Sequence, residues 1–395
     1  IWAHIFTWVA RPTYAGDARR LRATCALAHR GFDVAVHAGW IALAAHVDGA
    51  PEHAEATARW VDEWFPVDTT DCGALARCVA EDFVLRVEHG VARDCWPANT
   101  WQAPHVMIAE TLAPAASDDT LLSHVLGACA PLRLSFQLAA TTTVVDSACL
   151  RTALPTVSHI DASGLHGVTS FCARFLDGAL ALRQLDLRPL RSCRAFEDNC
   201  VVRCPVLRSV DVSGLVNCTS IGSGFLAACP ALTSVCLAGL TACTSVGDDF
   251  LSRCGQLASV DLSDLTACTT IGARCMAFNV GLRQVDVSGL IAVVSIDSGF
   301  LKSTLPLPAI DLSALAACTS VGDDFMMESD GLECYDGPTL SACRDVGRQF
   351  LRECHSLTYA DFSGFIDVTS IGDNCLFACP LLRAVSLSGL SRCIR

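Results

Sequence analysis

The sequence predicts an α/β solenoid, a stack of short repeated units, preceded by a mostly helical N-terminal region. A stretch of 25 residues from Val210 to Ser234, VDVSGLVNCTSIGSGFLAACPALTS, is followed directly by two close copies that begin at Val235 and Val260. The column defined by the aspartate in second place keeps its register over ten units, from residue 161 to residue 386. No unit of this size can bury its own apolar face, so neighbouring units must stack.

Composition changes near residue 115 and divides the 395 residues into two parts. All seven Trp and seven of the eleven His lie before this point. We expect residues 1–115 to form a mostly helical region of unknown type, because apolar residues recur at helical spacing within 18–28, 54–65 and 75–87. Residues 116–395 hold the solenoid: about ten regular units after a degenerate first unit, which has Phe136 in the aspartate place and a helical half at 121–129.

Each element of a regular unit has a physical reason. Leu207, Val210 and Val212 have the spacing of a short strand that points alternate residues inward. A turn at 214–215 leads to a second extended piece at 219–221, and a glycine at 222 allows a tight corner. Apolar residues at 225, 226 and 229 predict one or two helical turns, which Pro230 ends.

The strand pattern L-x-x-V-x-L followed by a buried Leu resembles the leucine-rich repeat plan. The tail TSIGSGFLAAC resembles the BspA-like class in particular, and the likeness covers roughly residues 117 to 395. The added cysteine of the GLxxC segment is also similar to the cysteine-containing repeats of ubiquitin-ligase substrate adaptors. The resemblance implies a right-handed superhelix with a parallel β-sheet on its concave face, which binds other macromolecules and has no catalytic activity.

Charge and hydropathy limit the classes of partner. The formal net charge of -13 argues against the phosphate backbone of nucleic acid and favours a basic protein or cations. No uncharged apolar run of about 18 residues occurs, so a membrane-spanning helix is not expected. We read the chain as a fragment, because it opens on Ile1 without a basic start and stops at Arg395 within a repeat.

The cysteines of the repeats fall into two columns, and both predict structural thiols. The first column holds Cys193, Cys218, Cys243, Cys268, Cys318, Cys343 and Cys393, with Val at 168, 293 and 368. Valine replaces a buried thiol well but cannot replace half of a disulfide. The second column holds Cys204, Cys229, Cys254, Cys354 and Cys379, alternating with Ala179, Asn279, Thr304 and Ser329. This mixture predicts a small buried site where a weak donor meets the backbone of the neighbouring unit.

Disulfides between adjacent units, and metal or redox chemistry, remain alternatives for these cysteines. Reduced thiols favour an intracellular, cytoplasmic location. The resemblance favours the cell surface instead, because many BspA-like proteins are found there.

The aspartate column is the candidate partner-binding surface. It consists of Asp161, Asp186, Asp211, Asp261, Asp286, Asp311, Asp336 and Asp361, with Cys236 and Ser386 in the two remaining places. Unit charges about 4.8 Å apart on adjacent strands repel by roughly 0.9 kcal/mol at the dielectric constant of water and about 3.5 kcal/mol at an effective value of 20. Two structural features could offset this cost: an Asx-turn to the backbone N–H two residues on, and the arginines at 183, 208, 283 and 383. A basic partner or cations along the groove would also offset it.

Motifs that would indicate catalysis are absent from the sequence, which has no dinucleotide fingerprint, phosphate-binding loop or H-E-x-x-H. We therefore predict no catalytic residues, no metal site and no cofactor. Cys72 and Cys78, near His53 and His89, lack zinc-ligand spacing, and Trp60 and Trp64 are more typical of a core than of a ligand pocket. The GDDF motifs at 247–250 and 322–325 are interpreted as helix caps.

The function predicted from these features is a non-enzymatic scaffold or receptor-type module that binds a protein through its concave face, and the net charge favours a basic protein. Three alternatives remain: a substrate-recognition subunit or ligase-type adaptor whose N-terminal region docks onto a larger complex, a cell-surface adhesin or antigen, and an enzymatic N-terminal region that the repeats target.

Overall fold

The structure is a computed structural model that describes residues 41–44, 83–87, 105–109, 133–137, 143–145, 154–336 and 340–394. Its contacts divide the chain into two units, Ile1–Leu165 and His166–Arg395. Among the residues so described, no helix is long and apolar enough to span a bilayer.

The first unit contains a parallel sheet of five strands. In sheet order these are β1 (Ile41–Ala44), β2 (Phe83–Val87), β3 (His105–Ala109), β4 (Arg133–Gln137) and β6 (His159–Asp161), while β5 (Val144–Val145) lies outside this sheet. A short 3₁₀ turn, Ser163–Leu165, follows β6.

The prediction of a mostly helical N-terminal region is wrong for the residues that the structure describes. Before residue 115 every described element is a strand, and Phe83 and Val87, which were assigned to a helix, lie in β2. Spacing by four residues also fits strand alternation, because residues i, i+2 and i+4 of a strand share one face. Phe83, Leu85 and Val87 have this pattern. The predicted helical stretches 18–28, 54–65 and 121–129 lie outside the described residues.

The degenerate first unit is one residue out of the predicted register. Ser135, and not Phe136, pairs with Asp161, and Leu134 pairs with Ile160. The slip moves Phe136 from the outward aspartate place to an inward one, where its ring is 4% exposed. The free energy gained by burying this aromatic side chain favours the shifted register over the strict 25-residue period.

The second unit is a parallel β-solenoid whose turns are paired in register 25 residues apart. The strands on the side of the aspartate column, here called the first ladder, pair in three groups: β8 (Gln184–Asp186) with β10 (Ser209–Asp211) and β12 (Ser234–Cys236), β14 (Ser259–Asp261) with β16 (Gln284–Asp286), and β19 (Cys334–Tyr335) with β21 (Tyr359–Asp361) and β23 (Ala384–Ser386). The second ladder consists of two-residue strands: β7 (Ser170–Phe171), β9 (Ala195–Phe196), β11 (Ser220–Ile221), β13 (Ser245–Val246), β15 (Thr270–Ile271), β17 (Ser295–Ile296), β18 (Ser320–Val321), β20 (Asp345–Val346) and β22 (Ser370–Ile371). Both extended pieces predicted for a unit are therefore present in the regular turns, except that residues 309–312, around Asp311, form no strand.

The segment that closes each turn is not helical, contrary to the prediction. Positive φ angles recur at every second residue, as at Gly224 (76°), Leu226 (58°) and Ala228 (53°). Backbone hydrogen bonds then run to the neighbouring turns: the N–H of Gly224 donates to the Asp248 carbonyl (2.7 Å). An α-helix is about 10 Å wide, whereas strands of a ladder lie about 4.8 Å apart. With a ladder on two sides, each turn is one chain thick and has no room for a helix.

Inward residues of the two ladders form the core together with a column of aromatic rings. Phe300, Phe325 and Phe350 stack with ring centroids 5.4 and 5.2 Å apart, and all three are fully buried. Cys200 takes the place of a ring in its turn, where Phe196 of the second ladder contacts Phe225 at 5.2 Å and fills the space. Stacking of this kind buries the apolar face that no single turn could cover.

Candidate interaction surface

The aspartates of the column share one local structure, the Asx-turn. In each case Oδ1 accepts the backbone N–H two residues on, at 2.8 to 3.0 Å, for Asp161, Asp186, Asp211, Asp261, Asp286, Asp311 and Asp361. Asp336 is followed two places on by Pro338, which has no N–H to donate. The aspartate thus has a role in the scaffold, because it holds the turn that leaves each strand.

Among the described residues, arginine neutralises only Asp186 and Asp211 of the column. Arg188 donates to Asp186 at 2.6 Å and lies 3.6 Å from Asp211. The arginines predicted to neutralise the column, Arg183, Arg208, Arg283 and Arg383, form no ion pair with it within the described residues. Sequence reasoning missed Arg188, although it is marked by being the arginine in a column of serines.

Three consecutive aspartates, Asp261, Asp286 and Asp311, form no ion pair within the described part of the chain, and we call them the acidic run. All three side chains are exposed, and Asp261 and Asp286 are direct partners across β14 and β16. Hydrogen bonds from Ser288 lower the pKa of Asp286, and those from Ser313 lower the pKa of Asp311, so both remain ionised at neutral pH.

Cys236 interrupts the column between the neutralised end and the acidic run. It is paired with Asp211 across β10 and β12, and its side chain is exposed. Asp186 and Asp211, before this uncharged position, contact Arg188. The acidic run after it forms no ion pair within the described residues.

The two cysteine columns have the structural role that the sequence predicts for them. In the second column the thiol of Cys254 donates to the carbonyl oxygen of Leu226 in the preceding turn (3.1 Å), and the amide of Asn279 makes the same contact with Leu251 (2.9 Å). In the first column Cys268 donates within its own turn, to the Thr270 carbonyl (3.4 Å).

Burial keeps one thiol of each column, Cys254 and Cys268, protonated. Desolvation raises the pKa of Cys254 to about 12 and that of Cys268 to about 11. All eighteen cysteines within the described residues are free thiols.

Other candidate sites are structural or lie outside the described residues. In each GDDF motif the first aspartate caps a backbone N–H group of the next turn. It does not cap a helix, contrary to the sequence prediction. Oδ1 of Asp248 accepts the N–H of Ala273 (2.8 Å), and Oδ1 of Asp323 accepts that of Arg348 (2.7 Å). No group of three metal-ligating side chains occurs in the part of the chain that the structure describes. The residues considered for zinc (Cys72, Cys78, His53, His89) and for a ligand pocket (Trp60, Trp64) lie outside it.

A groove of about 440 Å³ lies beside β9, β11 and β13. Its acidic side chains act as caps: Glu197 accepts the N–H of Ala173, and Asp198 accepts that of Ser223. Both acidic side chains of the groove are therefore structural, and neither is a candidate catalytic group.

The period and the two ladders agree with a known family. Residues 180–307 match six copies of the family described as BspA type leucine rich repeat region. This stretch is a BspA-type leucine-rich repeat region. Among curated proteins, none matches the sequence significantly.

Several solved bacterial structures are similar to this chain over more than half of its length. A leucine-rich repeat protein from Bacteroides ovatus is 16% identical, with 56% of this chain and 77% of that chain covered and a TM-score of 0.26. One from Eubacterium ventriosum is 12% identical, with coverages of 72% and 73% and a TM-score of 0.32. A leucine rich cell surface protein from Faecalibacterium prausnitzii is 14% identical, with coverages of 76% and 82% and a TM-score of 0.28. TM-scores of this size support no inference about function.

Proposed function

We propose that the chain is a non-enzymatic protein-interaction module, with residues 116–395 as the binding domain, and that the aspartate column contacts a basic segment of a protein partner. The leucine-rich repeat architecture supports the general class of interaction module. The acidic run supports the sign of the partner's charge, because nothing within the described residues compensates it.

The acidic run carries this proposal. Each carboxylate of Asp261, Asp286 and Asp311 uses Oδ1 for its own turn, which leaves further acceptor capacity directed to solvent. Lys or Arg side chains of a partner would form charge-assisted hydrogen bonds there and would relieve the repulsion between neighbouring carboxylates. Arg188 provides an internal example, since it already bridges Asp186 and Asp211.

Two locations are considered for the protein, the cell surface and the cytoplasm. One similar structure carries the name of a cell surface protein, which agrees with the cell-surface alternative, and the cytoplasmic location stays a prediction from the reduced thiols. The adaptor and N-terminal enzyme alternatives have no observation in their favour among the described residues.

A test uses a peptide of nine arginines as the probe. Binding to the full chain is measured by fluorescence anisotropy at low and moderate salt. The variant D261N/D286N/D311N removes the acidic run and retains a side-chain acceptor at each Asx-turn. The matched control D297N/D345N/D373N removes three acidic charges away from the first ladder and has the same net charge.

We expect the acidic-run variant to bind at least tenfold more weakly and the control to bind almost as well as the wild type, because clustered charges attract the probe more strongly than dispersed ones. Equal weakening in both variants would show that net charge alone attracts the probe. No weakening in either would place the binding surface elsewhere. Thermal melts of all three proteins establish that they are folded.

A further inference from the structure

One edge of the solenoid is basic, although the chain as a whole is acidic. It lies where the closing segment of each turn leads into the first ladder. It consists of residues 178–183, 203–208, 228–233, 253–258, 278–283 and 303–308, which we call the arginine ridge. These segments contain five arginines and no Asp, Glu, Lys or His. Since the whole sequence has a formal net charge of -13, the ridge has a local charge opposite to that of the chain.

Most of these arginines are available to a partner. Arg203 is paired with Asp177 at 2.6 Å. The other four are exposed and form no ion pair within the described residues: Arg183, Arg208, Arg253 and Arg283. The guanidinium carbon of Arg253 lies 4.7 Å from the centre of the Phe278 ring, which holds the side chain in place without neutralising its charge.

The crest of the ridge is a corner with apolar side chains at its tip. In one turn the N–H of Leu207 donates to the Cys204 carbonyl (3.4 Å), and the same bond recurs 25 residues later. Apolar side chains at the corner are open to solvent, with Leu180 52%, Val280 53% and Leu305 42% exposed. The ridge is therefore convex, and its tips repeat at the pitch of the ladder, about 4.8 Å.

This combination of features matches the headgroup region of an anionic bilayer. Arg183, Arg208 and Arg283 follow the corner on the side of the first ladder, and Arg253 precedes it on the other side. Guanidinium groups form bidentate hydrogen bonds with phosphate oxygens, and apolar side chains beside them enter the boundary between headgroups and acyl chains. A protein partner would need an acidic groove that fits over the crest, whereas fluid lipid headgroups rearrange around it.

We propose that the arginine ridge binds the surface of a membrane that contains anionic phospholipids. The ridge ends at residue 308, because the next turn carries Glu328, Asp330 and Glu333 at the equivalent positions. These carboxylates lie about 4.8 Å beyond the last segment and repel an anionic surface, so the contact is confined to the turns before them. The proposal does not depend on the contact proposed for the acidic run, which has the opposite charge.

The test is co-sedimentation of the full chain with vesicles of phosphatidylcholine, with and without about one third phosphatidylserine. We expect binding to the anionic vesicles to be at least tenfold tighter, because each arginine at such a surface contributes about fivefold. R183Q/R208Q/R283Q should weaken this binding at least tenfold. The matched control R191Q/R194Q/R344Q removes three exposed arginines on the side of the second ladder, has the same net charge and should bind almost as well as the wild type.

Two further variants test the apolar crest and the acidic boundary. V280S/L305S retains every charge and should weaken binding to the anionic vesicles at least tenfold, because it removes the side chains that enter the bilayer. E333Q should bind up to fivefold more tightly, because it removes a carboxylate next to the ridge. D261N/D286N/D311N should bind no more weakly than the wild type, which separates this test from that of the acidic run.

Melting curves establish that each variant is folded. Equal binding to both kinds of vesicle would overturn the proposal, as would equal weakening by R183Q/R208Q/R283Q and its control. Weaker binding of E333Q would also contradict it. If a peptide of ten glutamates binds the ridge and the anionic vesicles do not, the partner is an acidic protein and the proposal is wrong.

Discussion

Substitution of Asp286 separates the two roles of the aspartate column. Its Oδ1 accepts the N–H of Ser288 at 2.8 Å, and its nearest like charges are Asp261 and Asp311 in the adjacent turns. D286N removes the charge but keeps an oxygen acceptor for the turn. D286A removes both. The difference in unfolding free energy between the two variants therefore measures the Asx-turn, and the difference between wild type and D286N measures the charge.

The expected magnitudes follow from the spacing. Repulsion at about 4.8 Å is roughly 0.9 kcal/mol per neighbour at the dielectric constant of water. A Debye length of about 8 Å at 0.15 M salt reduces it to roughly 0.5, and one of about 3 Å at 1 M reduces it to less than 0.2. Two neighbours thus cost the wild type about 1 kcal/mol at 0.15 M salt, and most of this cost disappears at 1 M. Loss of the acceptor in D286A costs about 1 kcal/mol at either salt concentration.

The pKa of Asp286 fixes the sign of the charge effect. Since hydrogen bonding by Ser288 lowers this pKa in the folded state, ionisation favours folding in spite of the repulsion. Wild type should therefore be slightly more stable than D286N, and D286N about 1 kcal/mol more stable than D286A. The advantage of wild type exists above pH about 4, near the unfolded-state pKa, and is lost as the pH falls through the lowered folded-state value.

The assay is urea unfolding followed by circular dichroism, at 0.15 M and 1 M salt. We expect the gap between wild type and D286N to widen by about 0.6 kcal/mol at high salt, while the gap between D286N and D286A stays constant. Equal stability of D286N and D286A would refute the scaffold role of the Asx-turn. A gap between wild type and D286N that does not respond to salt would refute the repulsion.

Two further predictions concern the cysteine columns and an exposed ion pair. C254V should destabilise the protein by about 1 to 2 kcal/mol, because it removes the donor to the buried Leu226 carbonyl, whereas C268V should cost less than about 0.5 kcal/mol, because valine occupies this column in other turns. Urea unfolding of both variants measures this. Asp330 raises the pKa of His355 by a hydrogen bond of 2.5 Å, so the stabilising effect should be complete below pH about 6.5 and lost as the pH rises through the folded-state value. The melting temperature of wild type, but not of H355Q, should show this step between pH 5.5 and 8.5.

Equal costs for C254V and C268V would mean that the thiol-to-carbonyl contact contributes nothing beyond packing. C254S, which keeps a donor, is the control and should be milder than C254V. If H355Q shows the same pH dependence as the wild type, the step belongs to another titrating group.

Sequence periodicity was enough to predict the stacked units, because a two-residue alternation that returns every 25 residues identifies the inward and outward positions directly. It placed the aspartates outward and the Asx-turn correctly, since both depend on residues within two positions of each other. It also identified the cysteine columns as structural, because valine, asparagine and serine replace cysteine in them.

Features that depend on neighbouring turns needed the tertiary structure. Apolar spacing at 225, 226 and 229 fits a helix, but a turn one chain thick between two ladders excludes one, and alternating positive φ angles take its place. The slip at Phe136 follows from burial of a ring that the period alone would have exposed.

Local sequence order therefore determined the repeat, its register from Asp161 onward and the Asx-turns, because these arise from alternation and short-range hydrogen bonds. Only the tertiary structure decided which charges meet. Arg188 neutralises Asp211, 23 positions away in the sequence, because stacking brings adjacent turns into contact. Asp261, Asp286 and Asp311 have no such partner within the described residues. Electrostatic energy depends on distances in space, which the order of residues along the chain does not contain.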